Sequence, residues 1–106
     1  MNTVKTSVKV VRPVGALTSA NADAFRKEML TAITSDNASE VAVDMAAVDS
    51  VDNSGLVAIL AGCNTAKHHR KRLSLCDVAP PVRIVLELAQ LDRAVSMVDT
   101  QEFQAA

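Results

Sequence analysis

The feature that most limits what this chain can fold into is an alternation. Short apolar runs with strand character are separated by stretches in which apolar residues return every three or four positions. Val4, Val8 and Val10 alternate with Lys5, Ser7 and Lys9, the period of two expected of a strand with one wet face. Arg12-Pro13 interrupts that run, since proline donates no ladder hydrogen bond, and a second short strand is expected over 14–17. Thr18, Ser19 and Asn21 then offer helix caps, and Ala22, Phe25, Met29, Ala32 and Ile33 follow at helical spacing until Ser35-Asp36-Asn37 stops them. Residues 41–44 read as a buried strand. Ser54-Gly55 opens a second helix, with Leu56, Ile59, Leu60 and Cys63 on one face, and it closes on the basic run 67–72. Leu73 and Leu75 mark another strand, Pro80-Pro81 opens a third helix with Val82, Val85, Leu86 and Ala89 as its stripe, and 95–98 reads as a last strand. The expected order is β-β-α-β-α-β-α-β: one α/β domain over 1–106, its mixed sheet parallel at the centre, with helices packed mainly on one face. In such sheets sites gather at strand-to-helix turns on the carboxyl edge.

Composition narrows the function. Only Phe25 and Phe103 are aromatic and the formal net charge is −1, so the stacking platform and basic groove of a nucleic-acid binder are both missing. The longest apolar stretch, 56–63, is far short of the ~20 residues of a spanning helix, and the first residues lack the apolar region of a signal peptide. A soluble cytoplasmic protein is expected, without direct membrane insertion. Cys63 and Cys76 are too far apart for a CxxC pair and read as two unpaired thiols in a reducing compartment.

The polar turn 49–56, between the buried strand and the second helix, is the place where chemistry concentrates. Ser54 stands where free backbone amides and the positive end of the helix dipole meet, a position that tolerates an added phosphate, and Gly55 leaves the approach open. The ordinary alternative is that Asn53 or Ser54 is a helix cap and Asp52 a favourable first-turn charge.

The stretch 43–56, with Asp49-Ser50-Val51-Asp52-Asn53-Ser54-Gly55-Leu56 at its heart, resembles the central signature of the STAS domain, named after sulfate transporters and anti-sigma factor antagonists. In the antagonists a hydrophobic strand and an acidic step lead into Asp-Ser-Ser-Gly-Leu. The resemblance continues through the strand at Leu73, the helix opening at Pro81-Val82 and the approach of Leu91 to the last strand. It implies a partner-switching protein. The unphosphorylated form binds an anti-sigma factor that is also a serine kinase and frees the sigma factor; phosphorylation at Ser54 ends binding, and a PP2C-type phosphatase reverses it. The implied partner-binding residues are Asp52, Asn53, Ser54, Gly55, Leu56 and Thr18, extended along the second helix where Val57 and Ala58 are expected to be accessible. A homodimer is compatible with the family; no cofactor, metal or catalytic residue is implied. Asn53 departs from the usual serine or threonine, and Gly15-Ala16-Leu17-Thr18 stands where antagonists commonly carry Gly-Glu-Leu-Asp. A second reading is a non-switching STAS interaction module of a signalling scaffold or transport-associated complex.

Other readings are weaker. The run 67–72 complements a helix C-terminus and stays solvated. His68 and His69 are neighbours, pointing about 100° apart on a helix, so they form no i, i+4 chelate and lie at the wrong helix end for a phosphocarrier. Asp44, Asp49 and Asp52 lack the companion acidic pair and late lysine of a receiver domain. No Gly-rich phosphate loop and no nucleophile-base set is present. The charge instead divides into an acidic pole at Asp49 and Asp52 and a basic one at 67–72, and a phosphate on Ser54 adds roughly −1.5 to −2 at the first.

Overall fold

Leu73 and Leu75, with Val41 and Val43, are long enough apolar pairs to hold two adjacent strands between a layer of helices and a second face, and they form the centre of the molecule. A computed structural model describes residues 7–100; Val4, Lys5 and Phe103 lie outside them. Strands β1 (Val8–Val11), β3 (Glu40–Asp44), β5 (Arg72–Cys76) and β6 (Ser96–Val98) form one sheet in the order β1-β3-β5-β6. A separate pair joins β2 (Gly15–Leu17) to β4 (Val48–Val51). Every pairing among the described residues is parallel, in place of the mixed sheet expected.

Helices α1 (Ala22–Ile33) and α2 (Asn53–His68) pack against each other and against the larger sheet, burying Phe25, Met29 and Ile33 from one and Ile59 and Cys63 from the other. Helix α3 (Pro80–Leu88) lies instead against β4, with Val82 and Leu86 inward. A 3₁₀ turn at Leu91–Arg93 leads into β6.

Three details differ from the sequence pattern. The consecutive polar residues Asp49 and Ser50 read as part of a turn, but they lie in strand β4; Val48 and Val51 are buried on either side of them, giving an inward spacing of three where a strand pattern shows two. In β1 the valines face the other way. The register pairs Lys9 with Val41 and Val11 with Val43, so Val11 (2% exposed) meets the helices while Val8 (48%) and Val10 (45%) face out. A strand shifted by one residue presents its other side, and this edge strand takes its face from its neighbour. In α2, Leu60 is turned outward; the buried stripe runs Gly55, Ala58, Ile59, Gly62, Cys63, Ala66. Small residues there let α1 come close: a methyl group on Gly62 would lie 2.5 Å from the Met29 sulfur.

Candidate functional site

The parallel pairing of β2 with β4 builds the site. Leu17 stands opposite Val51, and the Asp52 N–H, one residue further, donates to the Leu17 carbonyl at 3.0 Å. This stitch fixes where the chain leaves the strand and turns into α2. Asp52 then has extended backbone (φ −96°, ψ −171°), and its carboxylate accepts from the Ser54 N–H at 2.8 Å and the Gly55 N–H at 3.2 Å. It is therefore the helix cap, a role anticipated for Asn53 or Ser54. Asn53 and Ser54 fall in the first turn beyond it, with Asn53 exposed and Ser54 half-buried. Because the cap is made by Asp52, the Ser54 hydroxyl is left over: among the described residues no hydrogen bond occupies it.

Gly55 points inward. An added Cβ would lie 2.8 Å from Val51 Cγ1 and 2.9 Å from the Leu17 carbonyl oxygen, so the glycine is what lets the first turn of α2 rest on the β2–β4 pair. That is packing, and differs from the open approach expected for it. Leu56 follows half-buried against the core.

Thr18 follows β2, one residue beyond the Leu17–Val51 pair, but its groups are used locally. Its N–H donates to the Asn21 side-chain oxygen at 2.9 Å, its hydroxyl accepts from the Ala20 N–H at 3.2 Å, and the Asn21 amide donates to the Ala16 carbonyl at 2.8 Å. This turn sets the start of α1 next to the start of α2. Between them lies an open groove of about 330 Å³, lined by Ser19, Asp23 and Arg26 on one side and by Asn53, Ser54 and Val57 on the other. Of the two α2 residues expected to be accessible, Val57 is (55%), whereas Ala58 is turned into the α1–α2 contact (3%).

Sequence reasoning missed Ser19, Asp23 and Arg26 as members of this groove. Arg26 donates to Asp23 at 2.8 Å and the Lys27 ammonium lies 3.4 Å from the same carboxylate. The Arg26 hydrogen bond, then the Lys27 charge, hold the Asp23 carboxyl below its ordinary pKa. The i, i+3 spacing of Asp23 and Arg26 was readable; their position opposite Ser54 depends on how the two helices pack.

The remaining acidic and nucleophilic groups are dispersed. Asp44 pairs with Arg12 at 3.5 Å and accepts from the Ala46 N–H, while Asp49 is exposed on β4. Among the described residues no group of three or more His, Cys, Asp or Glu could hold a metal ion. Both cysteines are free; burial pushes the Cys63 thiol up, and burial followed by the Asp77, Asp44 and Glu40 charges does the same for Cys76. His68 and His69 are exposed, edge to face at 5.6 Å. Among the described residues no helix is long and apolar enough to cross a membrane.

The family model of the STAS domain matches residues 1–103. No curated protein sequence matches the chain. Among solved structures it is similar to a candidate anti-sigma factor antagonist from Thermotoga maritima, with a TM-score of 0.80 and 22% identity over 95% of this chain and 90% of that one. The anti-sigma factor antagonist SpoIIAA in its unphosphorylated form gives a TM-score of 0.70 and 21% identity over 98% and 90%. The phosphorylated form of SpoIIAA, from Bacillus, gives 0.70 and 22% over 98% and 92%. A sulfate transporter family protein from Wolinella succinogenes gives 0.77 and 17% over 92% and 80%. At these identities the likeness is one of fold.

Proposed function

This chain belongs to the STAS domain family, and on that premise we propose that it is an anti-sigma factor antagonist of the partner-switching kind, a single domain over 1–106 acting in the cytoplasm. The unphosphorylated form binds an anti-sigma factor that is also a serine kinase, which releases the sigma factor. The kinase transfers the γ-phosphoryl group of ATP to the Ser54 oxygen, with loss of the hydroxyl proton and release of ADP, and the complex separates. A PP2C-type phosphatase restores the serine. In this cycle the chain is substrate and ligand, not catalyst.

The observation that carries this reading is the division of labour in the first turn of α2. Asp52 makes the cap, Gly55 makes the packing, and among the described residues the Ser54 hydroxyl between them is left unbonded at an open groove. A phosphate there disturbs neither role. It adds roughly −1.5 to −2 charge beside Asp23 and Asp52, and like charges in an interface weaken a complex whose partner supplies no matching cation. Val57 and Leu60, exposed along α2, extend the contact surface beyond the groove. SpoIIAA, known in unphosphorylated and phosphorylated forms, offers a parallel for such a cycle on this fold.

Co-purification from native cytosol tests the proposal. Ser54→Ala is expected to retain an ATP-binding serine kinase and Ser54→Asp to lose it, with wild-type Ser54 modified when that kinase and ATP are supplied. The second reading is a module of a signalling scaffold or transport-associated complex that binds without switching; a sulfate transporter family protein shares this fold. Equal binding by the two variants would select it.

A further inference from the structure

The wall of the groove opposite Ser54 belongs to α1, and it carries a cation already committed to an exposed partner. Arg26 holds Asp23 at 2.8 Å, with side-chain exposures of 40% and 67%. We infer that Arg26 is the internal counter-charge of a phosphate on Ser54 and exchanges Asp23 for it. The inference rests on Ser54 being the modified residue and concerns what the chain itself then does.

The exchange follows from the competing acceptors. A carboxylate carries one charge and, at this exposure, is a weak hold on a guanidinium. A phosphoserine carries roughly −1.5 to −2 and three acceptor oxygens, and the planar fork of arginine binds two of them at once. Arg26 and Ser54 line the same open groove, one from each helix, so the guanidinium and a phosphate on Ser54 share one space. Asp23 keeps a partner after the exchange, since Lys27 lies 3.4 Å from its other oxygen. Asp52 is anchored on the other side, its Oδ1 held by the Ser54 and Gly55 amides. The phosphate is thereby drawn against α1 across the groove, and the surface that a partner would meet is filled as well as recharged.

Phosphoserine installed at position 54 during translation tests this without any kinase, so failure of the kinase reading and failure of this one are separable. The second ionisation of the phosphate, near ~6 in the free group, is followed by phosphorus NMR. It should lie lower in the otherwise unaltered phosphoprotein than in Arg26→Gln, by roughly 0.5–1 unit, a value at or below the low end of what a close opposite charge does because the groove is wet. Lys27→Gln should shift it by much less. The Asp23 carboxyl, read by carbon NMR, should move upward on phosphorylation as Arg26 leaves it. An unchanged phosphate ionisation in Arg26→Gln, or an equal shift in Lys27→Gln, would overturn the assignment. Both positions are on the surface, and amide spectra matching the parent confirm that the variants fold.

Discussion

The four-stranded sheet and the β2–β4 pair are both parallel and both buried in part, yet they serve different ends. In the larger sheet, β3 and β5 present Val41, Val43, Leu73 and Leu75 to the helices in unbroken register, and its contribution is burial. The small pair has strands of three and four residues, a register shift between Gly15 and Ala16, and two exposed polar residues at the middle of β4. Its inward residues, Leu17, Val48 and Val51, are few, but they fix the point at which Asp52 leaves the strand. Both sheets bury apolar residues, but the placement of Ser54 belongs to the small pair. Sites commonly sit on the less deeply anchored part of a rigid frame.

Substitutions in the two regions should separate these roles. Leu75→Ala empties a fully buried position in the large sheet and is expected to cost about 2–5 kcal/mol in denaturant unfolding. The fraction that remains folded should keep its partner affinity. Gly55→Ala strikes the small pair: its methyl group meets the Leu17 backbone oxygen, which cannot step aside. A loss of about 1–3 kcal/mol is expected from the strain, reduced by up to ~1 from helix propensity. Unlike Leu75→Ala, it should weaken partner binding per folded molecule, measured by titration calorimetry. Gly62→Ala in the same helix is the control. Its methyl group meets the end of the Met29 side chain, a flexible thioether, so the net change should stay within about 1 kcal/mol and binding should be unaffected. Equal effects of the two glycine substitutions on binding would erase the distinction between the regions.

The same contrast explains what the sequence makes legible. Helix α1 is readable because Phe25, Met29, Ala32 and Ile33 all face one core, and β3 and β5 because their neighbours on both sides keep them apolar. Strand β4 escapes because Asp49 and Ser50, exposed together, imitate a turn. Val8 and Val10 mislead because an edge strand with one apolar residue too many has two candidate faces, and only the pairing with β3 chooses Val11. Leu60 and Ala58 exchange places for a related reason: α2 approaches α1 closely, so its core stripe is made of small residues that hydropathy underrates. At the site, the sequence locates Ser54 next to Asp52 but cannot say which of them caps the helix. Nor can it bring Arg26 across to Ser54, since that proximity exists only after α1 and α2 pack.

The cap itself comes next in size. Asp52→Ala removes the acceptor for the Ser54 and Gly55 amides and should cost about 1 kcal/mol, within the 0.5–2 typical of caps. Amide exchange should quicken first at residues 54 and 55 and leave β3 and β5 protected, whereas uniform loss of protection would mean that the small pair and the large sheet unfold together.

The smallest effect belongs to the far edge of the large sheet, where Asp77 does for β6 what Asp52 does for α2. Asp77 follows β5 in the left-handed region (φ 56°); its N–H donates to the Val98 carbonyl at 2.8 Å and its carboxylate accepts from the Thr100 N–H at 2.9 Å and from the Thr100 hydroxyl. The Thr100 hydrogen bonds hold this carboxyl below its ordinary value. A depressed folded-state pKa means a contribution that is complete above the unfolded value of about 3.9 and disappears as pH falls through the folded one. Asp77→Asn tolerates the same backbone but lacks the charge, so its stability deficit should be present at neutral pH and close as the pH drops below about 4. Comparing the two proteins at each pH cancels Asp23, which is shifted in the same direction. A deficit that persists to low pH would assign the effect to geometry and not to the charge, and would remove the likeness between the two aspartates that close the ends of strands in the two regions.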